Sequence, residues 1–164
     1  MRFLIIDDDA DYRRLLRYHL EVEWPDASIE ELQPSSSGPP PEDLDLAAID
    51  FILLGHPLLG RSAHGHQASH GGGLALLERL RRRHGCPPIA LFAANGDEFL
   101  AVQAIKAGAA DYFPKDRVRH RRLVEVLRAG LDVSGIDPTG AMFVDHKALN
   151  GARKRRLVAK IYAG

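Results

Sequence analysis

The 164-residue sequence has little of the features that mark secreted, membrane-spanning or strongly charged proteins. Its one cysteine, Cys86, cannot form an internal disulfide, and no uninterrupted apolar stretch approaches the roughly 20 residues that span a bilayer. Lys and Arg total 22, as do Asp and Glu, so no net charge attracts nucleic acid. Met1 leads directly into a strand-like run. We therefore expect a cytoplasmic protein without membrane contact.

The remaining composition is sufficient for one folded domain. Hydrophobic residues make up 45% of the chain and charged residues 27%, which is ordinary for a globular protein with a core. Residues 1–116 hold 11 basic and 18 acidic residues, whereas residues 117–164 hold 11 and 4. We predict a domain over residues 1–133 and a linker with a basic tail over 134–164, leading to an output domain outside this sequence. No helix-turn-helix pattern is visible in the tail, so a solvated extension is favoured over a nucleic-acid arm.

Short apolar runs alternate with amphipathic helical patterns along the chain. Such alternation predicts parallel strands joined by right-handed crossovers, with helices on both faces of a five-stranded sheet. Prolines within residues 34–41 oppose regular structure, so the second helix should be short or missing. The predicted strands cover residues 2–6, 28–32, 46–50, 88–93 and 111–114, and the predicted helices cover 11–22, 74–83, 97–107 and 117–131.

Acidic residues and one lysine follow the predicted strands. Asp7, Asp8 and Asp9 come after the first strand, Asp50 ends the third and Lys115 follows the fifth. Since the carboxyl ends of parallel strands share one edge, we expect these groups to converge there. Crowded carboxylates need a cation, and hard oxygen ligands suit Mg²⁺. The alternative is that the aspartates before the first helix only cap it.

Three segments carry a family resemblance. The segments FLIIDDDADYRRLL, DLAAID and PPIALFAANGDEFLAVQAIKAGAADYFPKD resemble the receiver domain of bacterial two-component response regulators over about residues 2–131. The resemblance implies a flavodoxin-like, doubly wound five-stranded parallel sheet. It also implies a phosphorylated regulatory domain that turns over no other substrate.

The resemblance further implies a role for each residue of the predicted site. Asp7, Asp8, Asp50 and the main-chain carbonyl of Ile52 would bind Mg²⁺. Asp50 would accept a phosphoryl group from a sensor histidine kinase or phosphotransfer protein, and Lys115 would pair with the phosphoryl oxygens. Asp9 is assigned to the turn or helix cap.

The switch positions match the family only in part. Tyr112 matches its switch aromatic, but Ala93 stands where the family has Thr or Ser, so the switch hydroxyl is absent. Two interpretations follow: a receiver that still accepts phosphate, or a degenerate receiver that acts as a phosphorylation-independent interaction or dimerisation module. Any partner or homodimer contact is expected on the fourth helix, fifth strand and fifth helix, where the count includes the short or missing second helix. These elements are the helix at 97–107, the strand at 111–114 and the helix at 117–131. The residues concerned are Ala101–Ile105, Tyr112 and the helix from Val118.

An insertion rich in Gly and His follows the third strand. Histidines spaced this closely can ligate Zn²⁺. A flexible solvated loop is favoured, because a Gly-rich segment offers no rigid support for metal ligands. The histidines concerned are His56, His64, His66 and His70.

Overall fold

Five parallel strands form one sheet in a computed structural model that describes residues 1–33, 44–56, 72–94 and 98–134. The strand order is β2-β1-β3-β4-β5, and every recorded pairing is parallel. This confirms the predicted fold class. The elements are β1 (Arg2–Ile6), α1 (Ala10–Glu23), β2 (Ser28–Leu32), β3 (Phe51–His56), α2 (Gly72–Arg82), β4 (Ile89–Ala93), α3 (Glu98–Lys106), β5 (Asp111–Pro114) and α4 (His120–Ser134), with short 3-10 turns at Leu46–Ala48 and Lys115–Arg117.

The boundaries of the third strand differ from the prediction. Residues 46–50 were expected to form it, but Leu46–Ala48 instead form a 3-10 turn, and the Asp45 side chain caps this turn by accepting a hydrogen bond from Ala47 N at 3.1 Å. The strand is the longer apolar run that follows, of which Phe51–Leu54 are fully buried. The expectation that Asp50 ends this strand is therefore wrong, because the residue precedes it.

Helices cover both faces of the sheet and define two cores. One core lies between the sheet and α1 with α4, and the other lies between the sheet and α2 with α3. Residues 3–6 of β1, 51–54 of β3 and 89–93 of β4 are buried on both faces of the sheet. This burial explains why their sequences are continuously apolar rather than alternating. In the described part of the chain, no helix is long and apolar enough to cross a membrane. The proline-rich residues 34–41 lie outside the described residues, as do residues 135–164.

The apolar residues of α3 pack inward. Ala101, Ala104 and Ile105 are at most 5% exposed. Ala104 and Ile105 belong to the core between the sheet and α2 with α3. These three residues therefore cannot contribute to the predicted contact surface, whereas Val102 and Gln103 of the same range are partly exposed. A helix of nine residues has one buried face, and Ala101, Ala104 and Ile105 occupy it. The large apolar side chain that α3 does expose is Phe99, at 71%.

Helix α4 approaches the sheet closely at Gly130. A Cβ atom at this position would lie 2.4 Å from Cε2 of Phe51, whose ring is fully buried. No rotamer change of an exposed side chain can relieve this overlap, because the neighbour is a core aromatic ring. The absence of a side chain at Gly130 thus sets the distance between α4 and β3.

We expect Gly130→Ala to lower the free energy of unfolding. Helix propensity alone would raise it by about 1 kcal/mol, but overpacking a core costs about 1 to 3 kcal/mol. Urea denaturation measures the sign. In a Phe51→Leu background, where the smaller side chain makes room, the same substitution should stabilise instead. A stabilising Gly130→Ala in the parent would contradict the close approach.

Candidate functional site

The first turn of α1 organises the acidic segment after β1. Asp9 is the N-cap of the helix, and its Oδ1 accepts hydrogen bonds from Asp11 N at 3.0 Å and from Tyr12 N at 3.1 Å. This geometry confirms Asp9 as a cap. The main-chain N–H of Asp9 donates in turn to Asp7 Oδ1 at 2.9 Å, so the capping turn also orients the buried carboxylate.

Asp7 and Lys115 form an ion pair at the carboxyl edge of the sheet. Lys115 Nζ donates a hydrogen bond to Asp7 Oδ1 at 2.8 Å and lies 2.7 Å from Oδ2, a contact without hydrogen-bond geometry. The Asp7 side chain is 1% exposed and the Lys115 side chain is 12% exposed. Nζ also lies 4.4 Å from the ring centroid of Tyr12, which adds a cation–π contact. The structure thus brings the predicted Asp7 and Lys115 together.

Burial dominates the ionisation of this site. It raises the pKa of Asp7 above its ordinary value, although the Lys115 hydrogen bond and the Asp9 N–H act in the opposite direction. The nearby Asp8 carboxylate raises it further. The pKa of Tyr12 is also raised, first by burial and then by the charges of Asp7 and Asp9. The Lys115 ammonium therefore stabilises the charged form of the Asp7 carboxyl group, whose ionisation burial disfavours.

Arg13 fixes the main chain beneath the ion pair. Its guanidinium donates to the Asp7 carbonyl oxygen at 2.7 Å and lies 3.2 Å from Glu31 on β2. Arg17 reaches the same glutamate at 2.6 Å, so α1, β1 and β2 are linked at this edge. The sequence analysis did not identify Arg13. An arginine in an amphipathic helix is ordinarily a surface residue, whereas Arg13 is only 8% exposed.

Asp50 and Ile52 do not join the site. Asp50 Oδ2 accepts a hydrogen bond from Arg2 N at 2.7 Å, at the amino edge of the sheet where β1 begins. Ile52 lies inside β3, pairs with Leu4 and donates from its N–H to the Pro88 carbonyl at 2.9 Å. Both assignments to the metal site are therefore corrected: these residues mark the start of β3, not its end.

Gly55 occupies the place where Asp50 was expected. β1 and β3 pair Ile6 with Leu54, so the next residues, Asp7 and Gly55, face each other at the carboxyl edge. A Cβ atom on Gly55 would lie 2.2 Å from Asp7 Oδ2. The position on β3 that faces Asp7 thus carries no side chain, and the Asp7 carboxylate fills the space beside it. The sequence signal was the run FILLG, whose last residue breaks an otherwise apolar strand.

The predicted switch positions flank this edge. Ala93 is fully buried at the end of β4, where it pairs with His56. Tyr112 on β5 is partly buried and packs against the core beneath α2 and α3. His56 is the described histidine of the Gly/His-rich segment; its Nδ1 is buried without a hydrogen-bond partner, and burial lowers its pKa. His64, His66 and His70 lie outside the described residues, so the Zn²⁺ alternative stays a prediction.

The residues at this edge do not fit the Mg²⁺ site that the receiver resemblance implies. Both carboxylate oxygens of Asp7 contact Lys115, and Gly55 supplies no third carboxylate. Within the described ranges, no group of three or more His, Cys, Asp or Glu side chains could hold a metal ion. Hard cations need several oxygen ligands, so an ammonium takes the position of the cation here.

Comparisons with known proteins agree with the fold. No family model matches the chain. It is 32% identical over 124 residues to the response regulator protein PilR of Pseudomonas aeruginosa, covering 74% of this chain and 24% of PilR. It is 30% identical over 128 residues to the transcriptional regulatory protein CpxR of Escherichia coli, covering 78% of this chain and 48% of CpxR. The chain thus spans less than half the length of these curated relatives.

Solved structures give the same result for the fold alone. The signal receiver domain of a DNA-binding response regulator from Colwellia psychrerythraea matches with a TM-score of 0.62 at 18% identity, over 80% of this chain and 98% of that one. The receiver domain of Klebsiella pneumoniae RstA, activated with BeF3, matches with a TM-score of 0.59 at 21% identity, over 80% and 98%. The solved structures thus show that the chain has the fold of a response regulator receiver domain, and its sequence is similar to that of response regulators.

We expect Lys115→Met to destabilise the protein by about 3 kcal/mol at neutral pH, because it leaves the Asp7 carboxylate buried without its ammonium. The folded state of this variant takes up a proton on Asp7 before the unfolded state does, since the pKa of Asp7 is already raised in the parent. The loss should therefore shrink as the pH falls towards the ordinary aspartate value of 3.8.

Urea denaturation at neutral pH and at about pH 5 measures this effect. The matched control is the double variant Asp7→Leu/Lys115→Met, which removes both charges and should be much closer to the parent in stability. Equal losses in the single and double variants, independent of pH, would show that the ion pair does not determine stability here.

Proposed function

We propose that this chain is a degenerate receiver domain: a signalling module that acts through protein contacts and does not accept a phosphoryl group. The observation that carries the proposal is Gly55, a residue without a side chain that faces Asp7 near the carboxyl end of β3, where the sequence had predicted the carboxylate of Asp50. Between the two interpretations of the sequence, this geometry favours the phosphorylation-independent interaction module over phosphoryl transfer to Asp50.

Asp50 is poorly placed for the phosphoacceptor role. Five residues of extended chain separate it from Gly55, which corresponds to roughly 16 Å at about 3.3 Å per residue. Phosphoryl transfer depends on cations held at the transferred group. Lys115 is paired with Asp7 at the opposite edge from Asp50, whose carboxylate accepts a main-chain hydrogen bond from Arg2. The nucleophile and the charge that would stabilise transfer are thus at opposite ends of the strand.

The groups that would report phosphorylation are altered as well. Ala93 has no hydroxyl with which to bind a phosphoryl oxygen, and it is buried in the sheet. Lys115 is engaged by a carboxylate of its own chain. We infer that the site holds one conformation, in which the Lys115 ammonium neutralises Asp7 without a metal ion or a phosphoryl group.

The partners of such a module follow from its family and its surface. We propose contact with a sensor kinase, a phosphotransfer protein, an output domain or a second copy of the chain, in the cytoplasm. The face formed by α3, β5 and α4 stays the predicted contact surface, with Phe99 rather than Ala101 as its exposed apolar residue. We do not assign nucleic-acid binding to the described domain. The division at residue 133, with a linker and basic tail beyond it, also stays a prediction.

Incubation with a small phosphodonor should leave the intact mass of the protein unchanged. The physical reason is the missing carboxylate at Gly55, so the parent and Asp50→Asn should behave alike. A receiver domain with an aspartate at the end of its third strand, treated in the same tube, controls for an active donor. If the parent gains the mass of one phosphoryl group and Asp50→Asn does not, the proposal is wrong and Asp50 is the acceptor.

Calorimetric titration with Mg²⁺ should show no saturable binding to the parent. Lys115 lies within 2.8 Å of both oxygens of Asp7, so Asp8 is the other predicted ligand that lies near this edge. Lys115→Met serves as the informative variant, because removal of the ammonium makes Asp7 available to a cation. Saturable binding to the parent that Asp8→Ala abolishes would restore the predicted metal site.

A further inference from the structure

Two histidines face each other across the contact between α1 and α4. His19 Nδ1 and His120 Nδ1 are 3.1 Å apart, within hydrogen-bond distance, and the ring centroids are 5.2 Å apart. Both rings are partly buried. A hydrogen bond between two imidazole nitrogens needs a proton on one nitrogen and a lone pair on the other. The contact is therefore compatible with two neutral rings or with one proton shared by the pair, but not with two imidazolium ions.

Charged groups around the pair bias where a first proton binds. Glu23 on α1 lies 3.7 Å from His120 Nε2, and it also forms an ion pair with Arg128 of α4. His120 is the first residue of α4, where the positive end of the helix dipole opposes protonation. On the other side, the ring of Tyr18 lies 5.9 Å from that of His19. His120 thus has a carboxylate partner on α1.

We propose that His19 and His120 form a proton-dependent latch between α1 and α4, closed while the pair carries at most one proton and opened by a second. The second proton removes the acceptor nitrogen and places two positive charges at hydrogen-bond distance. Burial and the neighbouring His120 both lower the pKa of His19, which agrees with this geometry. The ordinary histidine value of 6.5 places the opening in the mildly acidic range below it.

The latch joins the two helices that cover one face of the sheet. Its opening would loosen the second half of α1 and the first turn of α4, while the first half of α1 stays anchored by Arg13. Leu15, Tyr18 and Val22 are exposed on α1, so a change in the order of this helix would alter an apolar surface. Proton binding would then regulate this face independently of the Asp7–Lys115 site.

Hydrogen exchange of the full 164-residue chain tests the latch. Protection factors, which correct for the intrinsic effect of pH on exchange, are compared at about pH 7.5 and about pH 5.5. In the parent we expect protection in α1 after Leu16 and in the first turns of α4 to fall by about fivefold or more at the lower pH, from repulsion between adjacent charges. His19→Gln and His120→Gln should each lose most of this pH dependence. His84→Gln, a change at an exposed histidine, should retain it.

Histidine resonances of the parent provide a second measurement that needs no variant. The latch requires the two adjacent rings to bind protons as a coupled pair, so that the second proton binds less readily than the first. Independent single-step titration of the two rings would overturn the proposal. So would an equal loss of protection in the parent and in His19→Gln, because the acid effect would then arise elsewhere, for example at the partly buried His56.

Discussion

The buried ion pair between Asp7 and Lys115 is the interaction on which the carboxyl edge of the sheet depends. It joins the end of β1 to the turn after β5, two segments separated by 108 residues in sequence. The Asp9 N–H and the Arg13 guanidinium hold the same segment of main chain from the side of α1. Burial raises the pKa of Asp7, and the Lys115 ammonium opposes this shift by stabilising the charged carboxylate.

This pairing also supports the proposal that the site does not accept a phosphoryl group. In a phosphoryl-transfer site, several carboxylates share a metal ion and the lysine meets the transferred group. Here Gly55 faces Asp7 without a side chain, and the Asp7 carboxylate occupies the adjacent space. One carboxylate and one ammonium neutralise each other, so the cluster needs no further cation. The fold of a receiver is retained, while the charge arrangement is that of a structural ion pair.

The remaining ionic contacts are concentrated on α1, the helix that follows this site. Arg13 and Arg17 connect it to Glu31 on β2, and Glu23 connects it to Arg128 on α4. His19 meets His120 between these connections. Helix α1 is therefore linked to the acidic edge at one end and to α4 at the other, so the two ends can respond to different chemical changes.

The fold could be predicted from the sequence because it rests on local patterns. Continuous apolar runs such as residues 3–6 and 89–93 indicate buried parallel strands, and helical periodicity places α1 between its Asp9 cap and Trp24. Half of the site followed from the same reasoning, because Asp7 and Lys115 each adjoin a short, well-defined strand. The similarity to receiver domains supplied the family.

The other half of the site depended on a strand register that only the tertiary structure decides. LAAID and FILLG are both short apolar runs, and a local pattern cannot show which of them pairs with β1. The difference is a shift of about five residues, which moves Asp50 from one edge of the sheet to the other and places Gly55 beside Asp7. The full burial of residues 51–54 between two helix layers selects FILLG, because leaving that run outside the sheet would expose four large apolar side chains. Contacts between distant residues, such as Asp7 with Lys115 and His19 with His120, arise from that packing.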